Sequence, residues 1–127
     1  MQRICRVNDR VMIGMCGLAT DTQTLLEKIN FRLALYKLNE ERDMNPRTLS
    51  NLVSTMLYEK RFGPYLIEPI IAGLELETPF ICSTDSLGAQ TTPSDFVAVG
   101  TCKNVRPLDC VSPLLFACDV TESRWCL

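Results

Sequence analysis

At 127 residues, with 46% apolar and 22% charged side chains, the chain is long enough for one globular domain and too apolar to be disordered throughout. Thirteen basic and fifteen acidic residues leave a net charge of −2, so no single-sign field exists to grip nucleic acid or an anionic membrane, and neither is expected as a partner. Histidine is absent, which removes Ser-His and Cys-His nucleophile pairs, imidazole metal ligands and histidine general bases.

The first ten residues carry three arginines and one aspartate, and an apolar stretch follows over 11–19. Two readings compete here. A signal peptide cut after Gly17-Leu18-Ala19 would expose Thr20 as an N-terminal nucleophile. A buried strand over Val11-Met12-Ile13-Gly14-Met15-Cys16 needs no cleavage and agrees better with Asp9-Arg10 abutting the apolar run. The strand reading is preferred. Thr20-Asp21-Thr22-Gln23 then has the spacing of a capping box, and Leu25, Leu26, Ile29, Leu33 and Tyr36 recur at helical period, predicting a helix over about 21–38. Asn39-Glu40-Glu41-Arg42-Asp43 is a polar connector. Asn45 is placed to cap a second helix with Pro46 at its first position, and Leu49, Leu52, Val53, Met56 and Leu57 give that helix an apolar stripe over about 46–62 before Gly63-Pro64. The longest stretch free of charge, 48–58, is eleven residues, too short to span a bilayer.

Beyond this point the period changes. Ile67-Glu68-Pro69-Ile70-Ile71-Ala72-Gly73-Leu74 and Pro79-Phe80-Ile81-Cys82-Ser83-Thr84 are two apolar, β-forming runs a few residues apart, which predicts an antiparallel hairpin. The polar segment 86–94 is turn-prone, and Phe96-Val97-Ala98-Val99-Gly100 reads as a further strand. The composition shifts at about residue 102. Over 103–127 one apolar cluster is interrupted by Pro113, with neither a clean helix nor a clean strand, so an irregular tail is expected. The division is therefore 1–102 for a domain and 103–127 for a tail.

Candidate chemistry is sparse. The seven cysteines are odd in number and form no C-x-x-C pair, which suits reduced thiols in a cytosolic or nuclear protein. Cys102, Cys110, Cys118 and Cys126 are spaced by eight and are the one set of thiolates that zinc could use, but the spacing lacks the paired-ligand pattern and coincidence is the preferred account. No metal or other cofactor is expected. The carboxylate pairs Asp85 with Asp95 and Glu75 with Glu77 fit turn and hairpin surfaces. Gly14-x-x-Gly17 lacks the residues of a phosphate loop. Residue chemistry alone thus reaches an α+β domain with no visible active site.

Several stretches between residues 9 and 102 match one family in order: Asp9-Arg10, Gly17-Leu18-Ala19-Thr20-Asp21, Phe31-Arg32-Leu33, Leu57-Tyr58-Glu59-Lys60-Arg61-Phe62-Gly63-Pro64-Tyr65, Glu68-Pro69-Ile70-Ile71-Ala72-Gly73-Leu74, Pro79-Phe80-Ile81-Cys82 and Gly100-Thr101-Cys102. In these the chain resembles the beta type-3 subunits of the eukaryotic 20S proteasome. The resemblance implies an N-terminal-nucleophile hydrolase fold, an αββα four-layer sandwich of antiparallel sheets with helices outside, here incomplete. In active beta subunits an N-terminal threonine attacks the peptide carbonyl, an aspartate and a lysine in upstream strands support it, and the glycine matching Gly17 helps hold the oxyanion.

The chain as given starts after those upstream strands, and type-3 subunits are non-catalytic members of their ring. No enzyme activity and no catalytic residue are therefore expected, and Gly17 is at most a vestigial oxyanion position. The resemblance implies a structural role in ring assembly and in the proteolytic chamber, serving ubiquitin-dependent degradation in cytoplasm and nucleus, with other alpha and beta subunits as partners. The helix pair resembles the element that faces the alpha ring, which makes the connector 38–46 the expected contact, with Glu40, Glu41 and Arg42 at its centre. The tail does not resemble the family's continuation. The alternative is a truncated variant-transcript product that does not assemble and has no stable function. An unpaired strand edge and uncovered apolar surface would make such a chain aggregation-prone.

Overall fold

A computed structural model of the chain describes residues 4–94 and 96–100, together with the backbone of 116–119 and 124–126. Five strands form one antiparallel sheet: β1 (Ile4–Asn8), β2 (Val11–Gly17), β3 (Ile67–Glu75), β4 (Thr78–Thr84) and the short β5 (Gln90–Thr91), paired in that order. Two helices, α1 (Ala19–Glu40) and α2 (Pro46–Glu59), connect β2 to β3. A second sheet of three strands joins β6 (Phe96–Val99), β7 (Phe116–Asp119) and β8 (Arg124–Cys126).

The two faces of the larger sheet follow the two-residue period of its strands. On one face Val11, Ile13, Met15, Ile67 and Ile71 pack with Leu25 and Ile29 of α1 and with Leu49, Val53 and Leu57 of α2. The register places Ile13 opposite Ile71 and Met15 opposite Pro69, so the apolar rows of β2 and β3 coincide beneath the helices. On the other face Ile70, Ala72 and Ile81 pack with Val97 and Val99 of β6, and Cys16 approaches from β2. Helices, sheet and smaller sheet thus make three successive layers around two cores. Pro69 is tolerated inside β3 because the ladder to β4 begins one residue later, at Ile70 paired with Ser83.

The sequence reading and the structure differ in instructive places. The capping box at Thr20 does not form: α1 starts at Ala19 with Leu18 as its N-cap and no side-chain cap. Thr20 lies inside the first turn, and its neighbour Asp21 is turned outward to accept the backbone N–H of Leu66 at 3.0 Å. Asn45 does precede Pro46 at the N-cap of α2, but its side chain makes no capping bond. The first helix runs two residues past its expected end and the second stops three residues short of it. The expected hairpin is present, closed by Leu76 and Glu77 at φ 50° and 71°.

Strand β1 had no counterpart in the sequence reading, because arginine interrupts its apolar alternation and its pairing with β2 shifts register between Arg6 and Asn8. The tail, expected to be irregular, contains β7 and β8. Their backbone ladders extend the edge of β6, with Val97 opposite Cys118 and Cys118 opposite Trp125. The rest of 101–127 lies outside the described residues.

Candidate functional site

The turn from β2 into α1 is the tightest backbone approach in the region. Gly17 adopts φ +134°, and a Cβ placed there would lie 2.1 Å from the Leu66 carbonyl oxygen and 2.8 Å from the Ile67 Cα. Only glycine fits both constraints. The Leu18 N–H donates to that same Leu66 carbonyl at 2.9 Å, and the Leu66 N–H donates to the Asp21 carboxylate. Both polar backbone groups of Leu66 are therefore held by the start of α1, which fixes the helix against the entry to β3. Asp21 also sits in the first turn, where a negative charge complements the helix dipole. The sequence reading placed Gly17 correctly at a strand-to-helix turn. It missed Leu66 and the role of Asp21, for which the sequence carries no spacing signal across 45 residues.

The other candidate residues lie at the far end of the helix pair. Glu40 ends α1, and Glu41 follows in the left-handed region at φ 56°, its N–H donating to the Lys37 carbonyl at 3.0 Å. Helices commonly end this way with glycine, and a glutamate there costs about 1–2 kcal/mol. The arrangement is held by its neighbours. Lys37 pairs with Asp43 at 3.3 Å, the Arg42 guanidinium lies 5.8 Å from the Tyr36 ring centroid, Met44 is buried, and Asn8 of β1 donates to the Met44 carbonyl at 3.3 Å. Glu40, Glu41 and Arg42 are all exposed. The connector is thus a well-anchored loop that presents charges outward.

The remaining candidates make local structural contacts. Asp85 accepts the N–H groups of Leu87 and Ala89 at 2.9 and 2.8 Å, an Asx-type turn. Asp95 lies outside the described residues. Glu75 pairs with Arg47 at 3.3 Å, and Glu77 occupies the hairpin turn. Burial pushes the Cys82 thiol above its ordinary value of 9.0, so it is a suppressed nucleophile. Burial likewise raises Cys5. Among the described residues no group of three or more acidic or cysteine side chains could hold a metal, and no helix is long and apolar enough to cross a membrane. The side chains of Cys102, Cys110, Cys118 and Cys126 lie outside the described residues.

An antiparallel sheet under a pair of helices, entered through a glycine that touches the opposing backbone, is the setting in which the comparisons with known proteins fall. The profile of the proteasome subunit family matches residues 1–106, and the chain belongs to that family. Within it, similar curated proteins include type-3 beta subunits. The chain is 58% identical over 101 residues to proteasome subunit beta type-3-A of Arabidopsis thaliana, covering 79% of this chain and 50% of the relative. It is 55% identical to proteasome subunit beta type-3 of Dictyostelium discoideum over 78% of this chain and 49% of the relative. Against proteasome subunit beta type-3 of Caenorhabditis elegans the identity is 45%, over 79% and 50%. The chain spans about half the length of the curated relatives it matches.

Proposed function

We propose that the chain serves as a non-catalytic, structural beta subunit of the 20S proteasome core. Its work is to take a place in a beta ring beside other alpha and beta subunits, contributing to the wall of the proteolytic chamber in ubiquitin-dependent degradation in the cytoplasm and nucleus. The observation that carries this reading is identity of 45–58% to type-3 beta subunits over 101 residues, 79% of the chain. The three layers fit an αββα sandwich in which a further helical layer would cover the smaller sheet.

The non-catalytic character rests on kinship with type-3 subunits. The conformation of Gly17 and its close approach to Leu66 give glycine a packing role at this position. The connector, exposed yet anchored, suits a contact with the neighbouring ring through Glu40, Glu41 and Arg42.

Mass spectrometry of purified 20S particles tests the reading. Trypsin cuts after Lys103 and Arg124 and spares the Arg106-Pro107 bond, releasing a peptide over 104–124 that marks this chain. Recovery of that peptide at near-stoichiometric amount is the expected result. Its absence from particles that contain other type-3 peptides would favour the non-assembling variant product instead.

A further inference from the structure

The seam between α2 and the β4–β5 edge of the larger sheet is polar, and its hydrogen bonds do not close. Thr84 of β4 stands directly opposite Gln90 of β5. Opposed side chains in an antiparallel pair share one face, with Cβ atoms about 4.5–5.5 Å apart. Here that face lies beneath α2, because the Gln90 amide nitrogen donates to the Ser50 carbonyl at 3.4 Å and to Asn51 Oδ1 at 3.1 Å. Cys82, two residues before Thr84, lies on the same face. Ser50, Cys82 and Thr84 are all buried, Thr84 with 3% of its surface exposed. Yet the Thr84 hydroxyl has no hydrogen-bond partner among the described residues.

Gln90 has the complementary shortage. Its Oε1 has two donors within reach, and each has a closer acceptor elsewhere. A hydroxyl and a thiol carry one proton apiece. Ser50 Oγ lies 3.4 Å from Gln90 Oε1 but 2.8 Å from the Arg47 carbonyl. Cys82 Sγ lies 3.7 Å from that oxygen and 3.6 Å from the Ser83 carbonyl. Turning the Gln90 amide over gives no relief, since its oxygen would then face the Ser50 carbonyl, another acceptor. Thr84 therefore holds an unused proton and Gln90 an underused acceptor, on one face and in facing positions, with no direct bond between them. A buried hydroxyl left in this state is costly, and one water spans such a gap at little entropic cost.

We infer that Thr84 and Gln90 together form a binding site for one ordered water molecule beneath α2. The water accepts the Thr84 proton and donates to Gln90 Oε1. The heteroatoms of Ser50 and Cys82, both beside that oxygen, offer acceptors for its second proton. Gln90 is itself exposed, on the edge strand of the sheet, which gives the molecule a way in. The site completes the hydrogen bonds that join α2 to the sheet edge. It does not depend on whether the chain takes a place in a ring.

Thr84→Val tests the site, because valine keeps the shape and removes the hydroxyl. The other differences favour valine: it is a good strand former and leaves no buried polar atom. An unpartnered hydroxyl thus predicts a valine variant more stable than the parent, and a hydroxyl that holds water predicts the reverse. The expected result in urea titrations of the full-length parent and variant is a fall of about fivefold in the folded-to-unfolded ratio. A crystal structure of the parent should show a water within hydrogen-bond distance of both Thr84 Oγ1 and Gln90 Oε1. A valine variant as stable as the parent, or more so, overturns the inference. So does a parent structure in which the Thr84 hydroxyl bonds directly to Gln90 or Cys82, or in which no water lies between Thr84 and Gln90.

Discussion

The two-residue turn between β3 and β4 offers a direct test of how backbone geometry limits the stability of this chain. Leu76 and Glu77 both lie in the left-handed region, at φ 50° and 71°, flanked by the pair Glu75 and Thr78. This is the geometry of a type I′ turn, which matches strand twist and favours Asn-Gly. An L-residue with a full side chain is disfavoured there by about 1–2 kcal/mol. Glycine at 77 removes that penalty but adds freedom to the unfolded chain, which offsets about 0.4–1 kcal/mol. Asparagine at 76 tolerates the conformation and also removes a leucine that is 85% exposed. The double substitution Leu76→Asn, Glu77→Gly should therefore stabilise the chain by about 1–2 kcal/mol. For a domain of this size that raises the melting temperature by roughly 5 °C. Circular dichroism melts of the parent and the double variant measure it, and Glu77→Val should move the transition the other way. A double variant that melts at or below the parent would refute the argument that the turn conformation limits stability.

Gly17→Ala forces a Cβ into the Leu66 carbonyl and should cost about 3 kcal/mol or more, through backbone strain and loss of the Leu18–Leu66 hydrogen bond, read as a lowered urea midpoint. Asp21→Ala leaves the Leu66 N–H without its carboxylate and should cost about 1.5–3 kcal/mol in the same assay. Cys82 should resist alkylation in the folded chain and react once urea unfolds it. Because folding raises its pKa above 9.0, the stability linked to this thiol is complete below pH 9.0 and is lost as the pH rises towards the folded-state value, which urea midpoints across that range would register. Reversing all three charges at Glu40, Glu41 and Arg42 should lower incorporation into 20S particles while leaving the melting temperature of the chain within about 2 °C, since exposed charges contribute little to folding.

The order of strand, helix, helix and hairpin was legible because long apolar periodicities report on burial, and burial on the helix-facing side is what the structure shows for Leu25, Ile29, Leu49 and Val53. Caps were less legible. Thr20 and Asn45 have side chains suited to capping, yet neither caps; at α1 the approach of Leu66 sets where the helix begins, and Asp21 serves that contact. Strand β1 escaped notice since its hydrogen bonds, rather than an apolar alternation, place it in the sheet. Glu41, Leu76 and Glu77 could not be found by their residue types at all, as none belongs to the glycine or asparagine that such conformations favour.

Because both helices lie between β2 and β3, the central ladder joins Gly17 to Ile67, 50 positions further along the chain. The hairpins on either side close over a few residues, so they are quick to form, whereas this ladder must await a distant partner. During synthesis at about 5–20 residues per second, β2 waits some 3–10 s after its own emergence before β3 exists. For those seconds the row Val11, Ile13 and Met15, which ends fully buried, has no strand beside it on that flank. The interval is long beside elementary collapse, which takes microseconds. It is in this window, rather than in the finished fold, that the chain is most open to pairing with the wrong strand, and a companion that shields β2 would do most good there.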